Sequence, residues 1–296
     1  ITCRDWSSDV CSSDLPFMSC GAKLPVYTFL SMIFFPGRAD IVIFGLYLFG
    51  VVMAMLSGLL LKKTVFRSEP GNFVMELPPY HIPTFNGIFL HTWHRLRDFI
   101  LRAGKTILLV IIIINILQVV MVPDFFNHNA GKVSVLEVSG KLITTILKPM
   151  GIDSENWAAS VALITGLFAK EAVVGTLQSL YQDSDGDSEE ISEQFTSNLK
   201  QGFGSRAAAL AYLLFIVLYS PCAAALAMLF KEHGMKWMVF SFIYLTSLAW
   251  IIATMFYQLV AFRPESIYWL LIGSVFLGLI YLNLWLMGKR YAKLSA

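Results

Sequence analysis

WAASVALITGLFAKEAVVGTLQSLY, residues 157–181, is the stretch on which the reading of this chain turns. It is long enough to cross a bilayer, for which about 20 mostly apolar residues suffice. Yet Lys170 and Glu171 stand side by side near its middle. A charge at the bilayer centre costs roughly 2.5–3.5 kcal/mol on insertion scales, so such groups pair with one another or line a polar path. Ala158, Ala162 and Gly166 recur every four residues, with Lys170 next in the series. On a continuous helix they form one small-residue face where another helix approaches closely. Adjacent helical residues diverge by about 100°, which sends Glu171 to another line with Gly175 and Gln178. Two roles fit the charged pair, a buried ion pair and the lining of a polar pathway, and the second is the stronger reading.

The rest of the chain agrees with a membrane setting. Of its 296 residues, 56% are hydrophobic and 14% charged, with a mean hydropathy of +0.66. Soluble domains carry about 25% charged residues, so the composition is that of a multi-pass membrane protein. The net charge of +2, with no basic cluster interleaved by aromatics, gives no footprint for nucleic acid. Cys3, Cys11, Cys20 and Cys222 do not make a disulfide framework. The sequence begins at Ile1, and RDWSSDVCSSDL at 4–15 is polar, repeats SSD and ends abruptly at Pro16. Residues 1–15 look like a translated sequencing adapter and are expected to be non-native. Cys3 and Cys11 go with them.

Downstream, residues 16–61 read as a first broken element and a span. The apolar run 24–35 is too short to cross a bilayer comfortably and ends at Pro36-Gly37, whereas 41–61 is a full span. Lys62, Lys63 and Arg67 follow as a cytoplasmic anchor. Residues 62–105 form a linker: FVMELPPYHIP at 73–83 carries Glu76, and 86–104 is an amphipathic helix suited to the interface. Residues 106–181 hold a second span at 106–122, a mixed loop with a short apolar helix near 141–147, and the Lys170/Glu171 segment. The acidic stretch 182–206, with DSDGDSEE at its centre, is expected to be a solvated loop; its spacing does not fit a calcium loop. Residues 207–296 contain a span broken by Tyr219-Ser220-Pro221-Cys222, then plain spans at 237–259 and 267–287. Pro221 kinks its helix and frees a backbone carbonyl, which a membrane tolerates where protein or a wet cavity receives it.

Simple alternation of spans sets the basic tail Lys289, Arg290 and Lys293 opposite Lys62 and Lys63, against the positive-inside bias. A segment that bends back near 169–171 returns the tail to the cytoplasm. SCGAKLP at 19–25 and SPCAAAL at 220–226 share a Ser, a Cys and small residues, a weak sign of an internal repeat. Paired discontinuities of this kind point to a binding site near the midplane. The expected fold is therefore an all-α polytopic membrane helix bundle with broken or re-entrant helices, about 6–8 segments in number.

Four motifs, SCGAKLPVY at 19–27, FVMELPPYHIP at 73–83, GLFAKEAVVGTL at 166–177 and YSPCAAALA at 219–227, occur in one order. In this the chain resembles the ferrous iron transport protein B (FeoB) family of bacteria, from about residue 16 to its end. The resemblance implies the transmembrane permease portion of a GTP-dependent Fe²⁺ uptake system in the inner membrane, built from gate-type repeats. It implies Cys20 and Cys222 as cysteines lining the iron path, with Lys170 and Glu171 as the family's intramembrane pair. Glu76 matches the acid of the proline-rich linker, and Pro221 the break. His81 departs from the Arg expected there. No GxxxxGK[ST] occurs, so GTP and Mg²⁺ are expected in an N-terminal GTPase domain outside this sequence. Small FeoA/FeoC-type partners and a homo-oligomer are implied as well.

The chemistry is consistent with that resemblance. Fe²⁺ is a borderline cation suited by mixed thiolate, carboxylate and carbonyl ligands. Conduction requires such sites to be weak and multiple. Cys20, Cys222 and Glu171 are the candidate metal residues, and Lys170 is expected either to hold Glu171 or to repel a second cation. A small, apolar, buried thiol remains the plain alternative for Cys222. The competing functions are a gate-fold transporter of another divalent metal or a nucleoside, and an intramembrane enzyme. The last lacks an HExxH motif, and His81, His91, His94, His128 and His233 all fall in loops or near interfaces.

Overall fold

The computed structural model describes residues 20–64, 121–123, 132–153, 156–181, 188–261 and 266–294, with scattered helical residues between 85 and 116. Glu76, the residues 1–15 and most of the span expected at 106–122 lie outside these. The scattered residues, among them Phe89, Trp93 and Ile112, are helical and exposed.

Helix α1 (Leu24–Phe34) is short because Pro25 opens it and Gly37, at φ +84°, turns the chain after it. Helix α2 (Ala39–Thr64) follows and ends on Lys62 and Lys63. A two-stranded antiparallel ribbon pairs β1 (Met121–Pro123) with β2 (Lys132–Ser134), Val122 opposite Val133. The helix expected to run to Val122 has therefore given way to a strand by Met121. Helix α3 (Val135–Leu147) starts earlier than the short apolar run suggested.

The stretch 157–181 is not one helix. Helix α4 (Trp157–Phe168) stops at Ala169, whose φ −144° and ψ 119° are extended, and helix α5 (Ala172–Tyr181) begins three residues later. Thr165 and Thr176 bond through their hydroxyl oxygens at 2.9 Å. Along a continuous helix they would stand about 16 Å apart, so the chain has folded back on itself. At the mouth of this hairpin Asn156 caps α4 by accepting from Ala159 N at 3.2 Å, and the same oxygen accepts from the Tyr181 hydroxyl. Gly166 permits the close approach: a Cβ there would strike the Val173 side chain and meet the Tyr219 hydroxyl oxygen at 2.6 Å. The small-residue face thus exists, but Lys170 and Glu171 are in the turn rather than on it. The helical spacing argument does not reach them.

The acidic stretch also differs from expectation, since helix α6 (Ser188–Phe203) occupies most of it. Phe195, Leu199 and Phe203, four apart, are buried, and their rings meet Phe29, Phe34, Tyr181 and Tyr212. An amphipathic stripe outweighed acidic composition there.

Helix α7 (Arg206–Leu218) is the centre of the bundle, buried on nearly every side as an all-apolar helix must be. Helix α8 (Ala223–His233) continues beyond the break at 219–222. The long helices α9 (Met235–Ala261) and α10 (Ser266–Leu294) complete the bundle. Tyr212 donates to Ala159 O at 2.9 Å, tying α7 to α4, and Ser57 bonds Tyr244 at 2.9 Å, tying α2 to α9. Among the described residues four stretches are long and apolar enough to span a membrane: Ala39–Thr64, Arg206–Lys231, Met235–Ala261 and Ser266–Lys289. Helices α1 and α4 are shorter apolar pieces. The architecture is an all-helical polytopic bundle with broken segments, save for the one ribbon.

Asn156→Ala removes both the α4 cap and the Tyr181 partner. A lost cap costs about 1 kcal/mol, so the midpoint of thermal unfolding in detergent is expected to fall. An unchanged midpoint would show that the hairpin mouth is held by something else.

Candidate functional site

Three interruptions meet at one place: the start of α1, the α4–α5 turn and the α7–α8 break. The break is set by Pro221. In an unbroken helix Val217 O would accept from the N–H of residue 221, and proline has none. Tyr219 N closes the last turn on Phe215 O at 2.8 Å. Tyr219 and Cys222 are then extended, with ψ of 169° and 163°, and α8 restarts as Leu226 N donates to Cys222 O at 3.0 Å. Val217 O and Ser220 O are left without helical donors.

Two lysines from elsewhere receive them. Lys23 Nζ donates to Val217 O at 2.7 Å, and Lys170 Nζ to Ser220 O at 2.8 Å. Each lysine is only 3% exposed. Lys170 Nζ also stands 3.1 Å from the centroid of the Tyr219 ring, which is itself stacked on Phe215 at 5.3 Å. A hydrogen bond to a charged donor is worth about 1.5–3 kcal/mol, and a desolvated cation–π contact about 2. Together these offset a large part of the cost of keeping the ammonium groups out of water.

The predicted residues distribute around this junction. Cys222 is half-buried at the start of α8, and Cys20 is exposed ahead of α1, its carbonyl accepting from Lys23 N at 3.0 Å. Both thiols lie within electrostatic reach of Lys23 and Lys170. Glu171 is exposed, whereas its neighbour Lys170 is buried. The hydrogen-bond and cation–π partners of Lys170 are therefore the break and Tyr219. Among the described residues no three His, Cys, Asp or Glu side chains gather into a closed metal cage. The donors that do converge are carbonyls, a ring face and a thiol, which hold cations weakly.

Lys23 and Tyr219 were not singled out from sequence as site residues. A lysine at the mouth of a twelve-residue apolar run, two residues before Pro25, was the available signal for the first. Nothing local could have shown that its partner would be a carbonyl 194 positions away. Tyr219 and Ser220 also line an apolar cavity of about 440 Å³ with Leu163, Leu167 and Trp250. Its exposed wall is mostly apolar, with hydroxyls of Ser160, Thr246 and Ser247 also in the lining.

Discontinuous helices that meet at freed carbonyls inside an apolar bundle define a polytopic membrane protein with broken helices. The ferrous iron transport protein B C-terminus family matches residues 43–95, and the nucleoside recognition (Gate) family matches 100–236. The proteins named Fe(2+) transporter FeoB from Escherichia coli K12 and Salmonella typhimurium LT2 are each 35% identical, over 86% of this chain. The chain spans 38% of the length of those relatives. No solved structure matches. The chain belongs to the ferrous iron transport protein B family and carries its C-terminal membrane portion.

In a background where Cys3 and Cys11 are serine, a water-soluble maleimide is expected to modify exposed Cys20 well before half-buried Cys222. The order is read by peptide mass spectrometry over time. Equal rates would mean that the α7–α8 break is as open to water as the start of α1.

Proposed function

We propose that this chain is the transmembrane permease portion of a GTP-dependent Fe²⁺ uptake system of the bacterial inner membrane. The observation that carries the reading is the convergence of three broken segments on Val217 O, Ser220 O and Cys222. The printed names of the 35%-identical relatives support Fe²⁺ as the cargo. Exposed Cys20 and Glu171 would meet the ion first, and Cys222 would pass it along the freed carbonyls. A borderline cation accepts such a mixed set of ligands, and none of them is so strong that the ion could not leave. Pro221 supplies the carbonyls; Glu76 belongs to the linker before the second span and would act from outside the path. Gating or driving by GTP and Mg²⁺ would come from a GTPase domain outside this sequence, with small FeoA/FeoC-type partners and self-association as further parts of the system. A nucleoside cargo has less support, because the relatives' printed names carry Fe²⁺ and the exposed wall of the 440 Å³ cavity is mostly apolar.

The test is anaerobic uptake of radiolabelled Fe²⁺ in cells without their own ferrous transporter, carrying the gene restored to full length. Wild type is expected to take up Fe²⁺, and Cys222→Ser and Glu171→Gln to lose on the order of tenfold, about 1.4 kcal/mol of site free energy. Equal membrane expression is checked by blotting. Full uptake by both variants would remove these residues from the path, and no uptake by wild type would end the iron reading.

A further inference from the structure

Among the described residues the donors best suited to a passing cation are already in use. Val217 O and Ser220 O each accept from a lysine ammonium, and the face of Tyr219 is covered by Lys170 Nζ at 3.1 Å. The two lysines reach the break from different segments, one ahead of α1 and one from the α4–α5 turn. They are close enough to repel each other electrostatically, although each also satisfies a freed carbonyl. The Tyr219 hydroxyl is buried and has no hydrogen-bond partner among the described residues. Its ring stacks on Phe215 and faces Lys170, with no polar latch at the hydroxyl.

We infer that Lys23 and Lys170 are tethered cations that plug the ion path, occupying the carbonyl oxygens and ring face that a conducted cation must use. The cargo named here rests on the Fe²⁺ reading; the plug itself does not. Carbonyl dipoles and an aromatic face bind ammonium and metal cations by the same electrostatics. A divalent ion arriving at Ser220 O would meet Lys170 within contact distance, and the repulsion prevents both from staying. Passage requires the ammonium groups to withdraw. That withdrawal is accessible because Lys170 sits in a non-helical turn and Lys23 just ahead of a helix, so neither must unwind a helix to move. Opening then consists of moving the α4–α5 turn and the start of α1 away from the break. The two lysines also disfavour the passage of cations in the closed state, as fixed positive charge at a constriction does.

The experiment uses the full-length protein in proteoliposomes without nucleotide, as wild type, Lys170→Met, Lys23→Met and Lys170→Arg. Two fluxes are read: Fe²⁺ by quenching of a trapped chelating dye, and Tl⁺ by a thallium-sensitive dye. Each Lys→Met variant is expected to leak both ions about tenfold or more faster than wild type, the lower end of what a local field does to ion entry, and Lys170→Arg to stay near wild type. Tight vesicles in Met variants that melt like wild type would overturn the plug. Should the Met variants fail to fold, wild type decides through Cys222, with the other cysteines replaced by serine. A cationic methanethiosulfonate is expected to modify Cys222 about tenfold more slowly than a neutral one of similar size, each rate normalised to free cysteine. Equal normalised rates would overturn the inference. A wild type that never carries Fe²⁺, yet leaks Tl⁺ as Lys170→Met, refutes the cargo and keeps the plug.

Discussion

A proline inside a membrane helix leaves one carbonyl oxygen with no donor, and the bilayer offers no water to replace it. Pro221 does this to Val217 O, and the extended residues that follow do it to Ser220 O. A good part of the surrounding architecture answers that deficit. Lys23 must stand just ahead of α1, so α1 begins where its N-terminus meets the end of α7. Lys170 must come from a turn, so the chain at 157–181 folds into a hairpin whose tip faces the break. The central helix α7 is apolar on nearly all sides because it is buried among its neighbours.

The hairpin shows how small residues and hydroxyls cooperate to build such a turn. Gly166 lets α4 and α5 approach and gives the Tyr219 hydroxyl its space. Thr165 and Thr176 bridge the two halves near the tip, and Asn156 with Tyr181 closes the mouth. These bonds lie within a shell of apolar side chains, where a polar group without a partner is costly and a satisfied one fixes geometry. The result is a hairpin whose tip alone, Ala169, Lys170 and Glu171, is outside a helix. The same turn sends one charge inward and its neighbour outward.

A membrane transport path combines exposed ligands with a constriction that empties. On the proposed Fe²⁺ reading, thiol and carboxylate at the edges, with carbonyls and a ring face within, would form a graded series of weak donors. The cavity beside Tyr219 and Ser220 is walled mostly by apolar side chains.

Much of the site was legible in the residues themselves. Composition dictated a membrane bundle, Pro221 a broken span, the shortness of 24–35 a half-helix, and the charge count a break near Lys170/Glu171. The positive-inside bias even anticipated that 157–181 turns back. What local pattern could not carry was partnership. Helical spacing assigned Lys170 to a face, but the helix stops at Phe168, so its direction was decided by the turn. The acidic run concealed Phe195, Leu199 and Phe203, whose burial depended on rings from α1, α5 and α7. Lys23 was an unremarked residue in a short motif until the fold brought it to Val217 O. The sequence by itself determined where the backbone must break, because proline chemistry and bilayer cost act on single residues. Only the tertiary structure decided which groups satisfy the break, because hydrogen bonds between segments far apart in the chain exist only once those segments are packed.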